Sequence, residues 1–240
     1  MSTEPEDDME TEYEIKLRDT VKEVQECDSI RTNKYDRGPL AIYLKRAEDA
    51  FEIIRQVQDI PPPAGLGENF HRYSNLSFSW RALEPFDKIA GEFHIIHIAE
   101  AVVRGPQRSP IHPATTETGR LIEEFRIFET HPVGGTGTYS ALRLTHNEDS
   151  PEIWYFDIRQ GPSRLHINYS DYLDVMLLTR GLYDWQYLFA KPDKDNYGMS
   201  VSLPYLRDGL AFLAREFAGD DLSDLLDRLA ERTRVADEVS

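Results

Sequence analysis

Apolar and polar positions alternate most regularly in residues 151–190, PEIWYFDIRQGPSRLHINYSDYLDVMLLTRGLYDWQYLFA, and the chain is read outward from there. Over residues 152–158, Trp154, Phe156 and Ile158 fall on one face and Ile153 and Tyr155 on the other. A period of two with both faces apolar predicts a strand inside a sheet. Gln160-Gly161-Pro162-Ser163 then reverse the chain, and Leu165, Ile167 and Tyr169 alternate with Arg164, His166 and Asn168, which predicts a partner strand with one wet face. At Ser170 the period lengthens: Ser170 is the expected cap, and Leu173, Met176, Leu177 and Arg180 follow at helical spacing. Gly181 suits a left-handed C-terminal position, with Leu182, Trp185, Leu188 and Phe189 as a closing apolar anchor.

On the N-terminal side, residues 14–25 predict a short helix with a thin stripe of Ile15, Leu17 and Val21. Leu40, Leu44, Ala47, Phe51, Ile54 and Val57 recur at three- and four-residue steps, an amphipathic helix that Pro61-Pro62-Pro63 must end. Leu76, Phe78 and Trp80 mark a half-buried strand, and EFHIIHIA after Gly91 a strand apolar on both faces. Residues 104–119 hold three prolines and read as an exposed loop, and 121–128 fit a short helix or a strand. Residues 140–169 together predict a meander of three antiparallel strands. Beyond 190 a linker leads to helices over 203–217, capped by Ser202 with Pro204 in the first turn, and 222–235. Their apolar faces either dock on the main domain or serve self-association or a partner.

Composition adds a sign to this picture. Against 27 Lys and Arg stand 43 Asp and Glu, a formal net charge of -16 over 240 residues. Such a surface repels nucleic acid and anionic membranes and steers toward basic partners. Residues 1–14 hold seven carboxylates and no Lys or Arg, which predicts a largely disordered acidic lead. No apolar run reaches the roughly 18 residues of a membrane span, and the N-terminus lacks a signal-peptide pattern, so the expected location is cytoplasmic. Cys27, the single cysteine, rules out an internal disulfide and a cysteine zinc cage and reads as a passive thiol.

Candidate chemistry is sparse. His94, His97 and Glu100 share a face only on a helix, and Phe93, Ile95 and Ile96 favour a strand, so no metal site is assigned. Gly134-Gly135-Thr136-Gly137-Thr138 lacks the Gly-Lys-Ser/Thr ending of a phosphate loop and reads as a hairpin turn. Trp80, Trp154 and Trp185 each sit in an apolar pattern and read as core. Nothing joins a nucleophile, a base and an oxyanion donor, so the chain reads as non-catalytic, without cofactor. A metal hydrolase using His94, His97 and Glu100 is the reading from the enzyme class set against it.

The helix with Leu44, Ala47 and Phe51, the proline break, YSNLSFSW at 73–80, the Gly91 strand, EIWYFD at 152–157 and YSDYLDVMLLTRGLYDWQYLF at 169–189 resemble the SUKH superfamily, a group of cell-wall synthesis regulators and bacterial immunity proteins. The resemblance covers residues 37–190; Tyr73-Ser74-Asn75 stands where that family usually has a glycine-containing turn, and the acidic lead and C-terminal helices lie outside the module. It implies an α+β fold, a mainly antiparallel sheet with helices against it, and three parts: a lead over 1–36, the domain over 37–190, and a linker with two helices over 191–240. It also implies non-catalytic binding of a cognate toxin, a nuclease among the possibilities, with an acidic interaction or regulatory adaptor as the alternative. A basic protein, neither nucleic acid nor membrane, is the expected partner. Glu148, Asp149, Asp157 and Asp184, near the sheet turns, are the expected partner contacts.

Overall fold

A computed structural model of the chain describes residues 10–33, 35–41, 46–58, 67, 69–105, 112–144 and 151–237. The fold is α+β. Eight strands form one antiparallel sheet: β1 (Ile30–Thr32), β2 (Asp36–Arg37), β3 (Asn75–Ala82), β4 (Ala90–Ile96), β5 (Phe125–Thr130), β6 (Thr138–Arg143), β7 (Glu152–Asp157) and β8 (Gly161–Leu165). From β3 to β8 each strand pairs with the next, while β1 and β2 share the outer edge of β3. The described helices are α1 (Glu12–Glu26), α2 (Ala47–Gln58), α3 (Ile98–Arg104), α4 (Glu117–Glu123), α5 (Tyr169–Leu178), α6 (Tyr197–Glu216) and α7 (Ser223–Asp237). None is long and apolar enough to cross a membrane.

The expected meander is β6-β7-β8, and β7 has both faces filled. Ile153 and Tyr155 join the main core with Phe78, Trp80 and Phe93, while Trp154 and Phe156 join a smaller cluster with Phe125, Ala141 and Ile122 of α4. Ile158, placed on that strand by the alternation, lies past its end and is exposed. Helix α5 docks as expected, its Tyr169 and Tyr172 rings edge-on to Phe128 at 5.2 and 5.0 Å. Its cap is Asn168, whose side chain accepts the Asp171 amide at 2.8 Å, because Tyr169 is already helical; Ser170 is buried and receives the Asn69 amide group at 2.9 Å. Residues 121–128 divide between both expectations, α4 ending at Glu123 and β5 starting at Phe125. Helix α2 begins at Ala47, while Leu40 bridges to Tyr73 and Leu44 lies outside the described residues.

Two boundaries expected from composition move. The lead over 1–36 is not uniformly disordered: α1 has a capping box, Glu14 N donating to Thr11 Oγ1 at 3.1 Å and Thr11 N to Glu14 Oε2 at 3.0 Å, and buries Tyr13, Leu17, Val21 and Val24. Glu14 is also a buried ion-pair partner, 2.8 Å from Arg72 Nη2 and accepting the Arg72 amide at 2.6 Å. The C-terminal helices are likewise part of the main core through Leu203, Leu206, Leu210, Leu213, Leu225 and Leu229. Helix α6 starts at Tyr197, capped by Asn196, so Pro204 lies inside it and Ser202 is no cap. The Ser202 hydroxyl instead has two acceptors in reach of its one proton, the Gly198 carbonyl at 2.8 Å and Asp184 Oδ2 at 2.6 Å.

After α5 the chain turns back through two left-handed residues, Arg180 (φ 53) and Gly181 (φ 68), and lies against β3 and β4. The Glu92 amide donates to Gly181 O at 2.8 Å and the Trp80 indole N–H to Arg180 O at 2.7 Å. A Cβ at Gly181 would stand 2.7 Å from Glu92 O, so only glycine fits.

Replacing Glu14 by Ala strands the Arg72 guanidinium in a buried site. Urea unfolding of E14A is expected to show about 3–5 kcal/mol lost relative to wild type, the range for breaking a buried pair from one side. A loss below about 1 kcal/mol would mean that α1 does not anchor the sheet.

Candidate functional site

At one end of the sheet the β5–β6 turn, the β7–β8 turn, the segment after α5 and the first turns of α6 converge. Polar side chains are held there from strands that the core makes rigid. Glu92 of β4 is 2% exposed and accepts the Val133 and Gly134 amides, both at 2.6 Å, and the Tyr183 hydroxyl at 3.0 Å. The glycine-rich stretch is therefore a hairpin turn gripped by the protein's own carboxylate. A Cβ at Gly134 would sit 2.3 Å from Tyr183 Oη, so a larger residue there would push the Tyr183 ring aside.

Behind the turn, His131 Nδ1 lies 2.8 Å from Thr138 Oγ1, itself 2.6 Å from Thr136 Oγ1. On its other side His131 Nε2 is 3.8 Å from Glu129 Oε1, an ion-pair distance too long for a hydrogen bond. The other Glu129 oxygen takes the Tyr172 hydroxyl and, at 3.3 Å, the Gln186 amide. Burial pushes the His131 pKa down, but Glu129, with Glu92 and Asp184 further off, outweighs it and leaves it above its ordinary 6.5. Hydroxyl, imidazole and carboxylate stand in line here, yet Thr138 is buried and Glu92 occupies two of the turn amides that an oxyanion would need. The arrangement can hold shape and charge; it is not set up for nucleophilic attack.

The second ion group faces the first across the cleft. Asp157, at the end of β7, is fully buried; it accepts the Arg159 amide at 2.7 Å, its guanidinium at 2.8 Å and the Tyr187 hydroxyl at 2.7 Å. Arg159 reaches on to Asp184 at 2.8 Å, which also receives Ser202 at 2.6 Å and Tyr155 at 2.8 Å. These donors hold Asp184 in the left-handed region, φ 64, where a non-glycine residue is strained. Burial raises the Asp157 pKa, but Arg159 and Tyr187 outweigh it and keep it below 3.8. Thr136, Arg159, Tyr183, Asp184, Val201, Ser202 and Tyr205 line a cleft of about 370 Å³ between the two groups.

No family model, no curated protein and no solved structure matches the chain.

Of the four expected partner contacts, Asp157 is corrected: it is buried, because Arg159 folds back over it and Tyr187 covers it from the other side. Asp184 keeps 13% of its side chain exposed at the cleft. Glu148 and Asp149 lie outside the described residues.

His94, His97 and Glu100 do not converge. His97 Nδ1 accepts the Ala99 amide at 3.2 Å as the cap of α3, and Glu100 pairs with Arg104 at 3.1 Å. Among the described residues no three His, Cys, Asp or Glu side chains could hold a metal ion. Trp80 and Trp185 are buried, and Trp154 is half-buried against Phe125. Burial and Glu216, 3.5 Å from its Sγ, raise the Cys27 pKa, as suits an inert thiol.

Sequence periodicity missed Arg180, treating it as one more position on the α5 stripe. Its buried guanidinium binds Glu23 of α1 at 3.0 Å and Asp220 of the α6–α7 corner at 2.6 Å, and lies 3.6 Å over the Phe217 ring. Glu26 at the end of α1, Asp28 just after it and Asp221 in the α6–α7 corner are exposed. The only hint in sequence is a cation beside a left-handed glycine.

R159A leaves Asp157 buried with one charged partner fewer. Because the Arg159 side chain is partly exposed, chemical denaturation should show a loss of about 1–3 kcal/mol, and less than about 0.5 kcal/mol would show that solvent reaches Asp157. Because its folded pKa lies above 6.5, the His131 contribution is fully present below that pH and is lost as pH rises through the folded value. Unfolding free energies of wild type measured across that range should fall with pH relative to H131Q; a constant difference between the two would sink the assignment.

Proposed function

We propose that this chain is a non-catalytic, immunity-type protein that binds and neutralises one basic protein partner, a toxin domain being the leading case and a nuclease one form of it. The observation that carries this reading is the surplus of negative charge. The chain has a formal charge of -16, and Arg180 ties α1 to the α6–α7 corner through Glu23 and Asp220, on segments that also carry the exposed Glu26, Asp28 and Asp221. A surface of this sign speeds encounter with a cationic protein and repels nucleic acid and anionic lipid. The resemblance to the SUKH superfamily supports the same reading, and a cytoplasmic location goes with it.

The acidic adaptor is the second reading. It is favoured by a groove of about 650 Å³ along α6 and α7, lined by Arg207, Leu226, Ala230, Thr233 and Arg234, which offers a helix-sized seat.

Co-expression with the product of the adjoining gene separates the two. Toxin neutralisation and a co-purifying complex are expected, with association slowed about tenfold or more by E26K, D28K and D221K together and by raised salt. A protein that neither protects nor binds, but recovers a housekeeping complex, would replace immunity with the adaptor.

A further inference from the structure

Nine large apolar side chains are exposed among the described residues, and four of them, Val133, Ile158, Tyr197 and Val201, belong to the site end of the sheet. The segments that carry them touch. Val133 sits in the β5–β6 turn beside Gly134, which packs on Tyr183. Gly137 of the same turn packs on Ile158, a Cβ there falling 3.1 Å from Ile158 Cγ2. Two residues past Ile158, the Gln160 side chain accepts the Tyr197 amide at 3.0 Å. Val201, one helical turn on, lines the cleft with Tyr183, Asp184 and Arg159. The other five, Ile15, Val57, Leu83, Val103 and Leu226, are spread over α1, α2, the end of β3, α3 and α7. Scattered exposure needs no explanation; exposed apolar side chains on adjoining segments, one of them lining a polar cleft, mark a contact surface.

Charge decides what the surface fits. Asp157 and Asp184 face one guanidinium, Arg159, and Glu92 lies beneath the adjoining turn, so carboxylates outnumber cations there. Asp184 is fixed in place before any partner arrives, held by Arg159, Ser202 and Tyr155. We propose that this end of the sheet receives a basic protein segment, its aliphatic or aromatic side chain in the cleft and a flanking Lys or Arg beside Asp184. A second copy of the chain is disfavoured as occupant, since it would bring the same surplus acid and its own charge of -16. The inference rests on the basic-partner reading and adds a second contact to it. Val201 and Glu216 are about 22 Å apart along α6, within the breadth of one standard interface, so one partner can cover both the cleft and the Arg180 corner.

The test uses the full-length protein and three short synthetic peptides of equal length: Lys-flanked Leu, Lys-flanked Ser and Glu-flanked Leu, followed by amide chemical-shift titration. Binding of the Lys-Leu peptide is expected to move Val133, Ile158, Asp184 and Val201, about tenfold or more tighter than the other two peptides. V201S and I158S, both at exposed positions, should each weaken it severalfold, and D184N should erase the advantage of Lys over Glu while its amide tolerates the left-handed backbone. Shifts confined to α1 and α7 would overturn the cleft and leave the basic-partner reading standing. Equal binding of the Glu and Lys peptides would overturn the cationic preference, and no shift with any peptide would overturn the surface itself. Wild-type dimers on sizing that V201S abolishes would assign the cleft to a second copy and overturn the proposal.

Discussion

The stretch from Arg180 to Asp184 must lie in van der Waals contact with β3 and β4, and most of the molecule's polar architecture follows from that constraint. Gly91 and Gly181 supply the room: a Cβ at Gly91 would stand 2.4 Å from the Trp80 indole nitrogen, and one at Gly181 would meet Glu92 O. With the backbone pressed flat, Tyr183 N reaches Ala90 O and Leu182 bridges to Gly91. Arg180 is then aimed at α1 and the α6–α7 corner, and Asp184 at Arg159 and α6. One close packing of two strands against a left-handed turn thus organises both charged regions at once.

Burial separates two populations of charge. Inside, Glu14, Asp157 and Arg180 are each met by an opposite charge, as the penalty for an isolated buried ion requires, while Glu92 and Glu129 are held by amide and hydroxyl donors. Outside, Glu26, Asp28 and Asp221 stand in water. The internal ion pairs fix geometry, and the surface surplus sets the sign of the long-range field.

Elements whose signal is local were legible in the sequence: β7 from its two apolar faces, α5 from the change of period, and the three-strand meander, although Gly161, Pro162 and Ser163, read as its turn, belong to β8. What escaped depends on partners distant in sequence. Asp157 looked like a turn acid because its turn is local, whereas Tyr187 comes from thirty residues away. The helix over 14–25 was legible from Leu17 and Val21, but its capping box at Thr11, the burial of Tyr13 and the Arg72 partner of Glu14 were not. Ser202 and Pro204 resembled a helix start, but Asn196 caps six residues earlier and the helix runs through the proline. The candidate site was visible only as scattered turn residues; the clustering of Val133, Ile158, Tyr197 and Val201 is a property of the sheet's end and has no signature in their spacing.

The cleft has walls from four segments: the β5–β6 turn, the β7–β8 turn, the stretch after α5, and α6. An unfolded chain has no such cavity, so anything that fills it binds the native state alone. Mass action then ties occupancy to lifetime: at a hundred times its dissociation constant, an occupant adds about 2.7 kcal/mol to the unfolding free energy. The site's strained Asp184 is thereby placed where a partner would offset its strain, and a bound molecule would unfold and be degraded far more slowly than a free one.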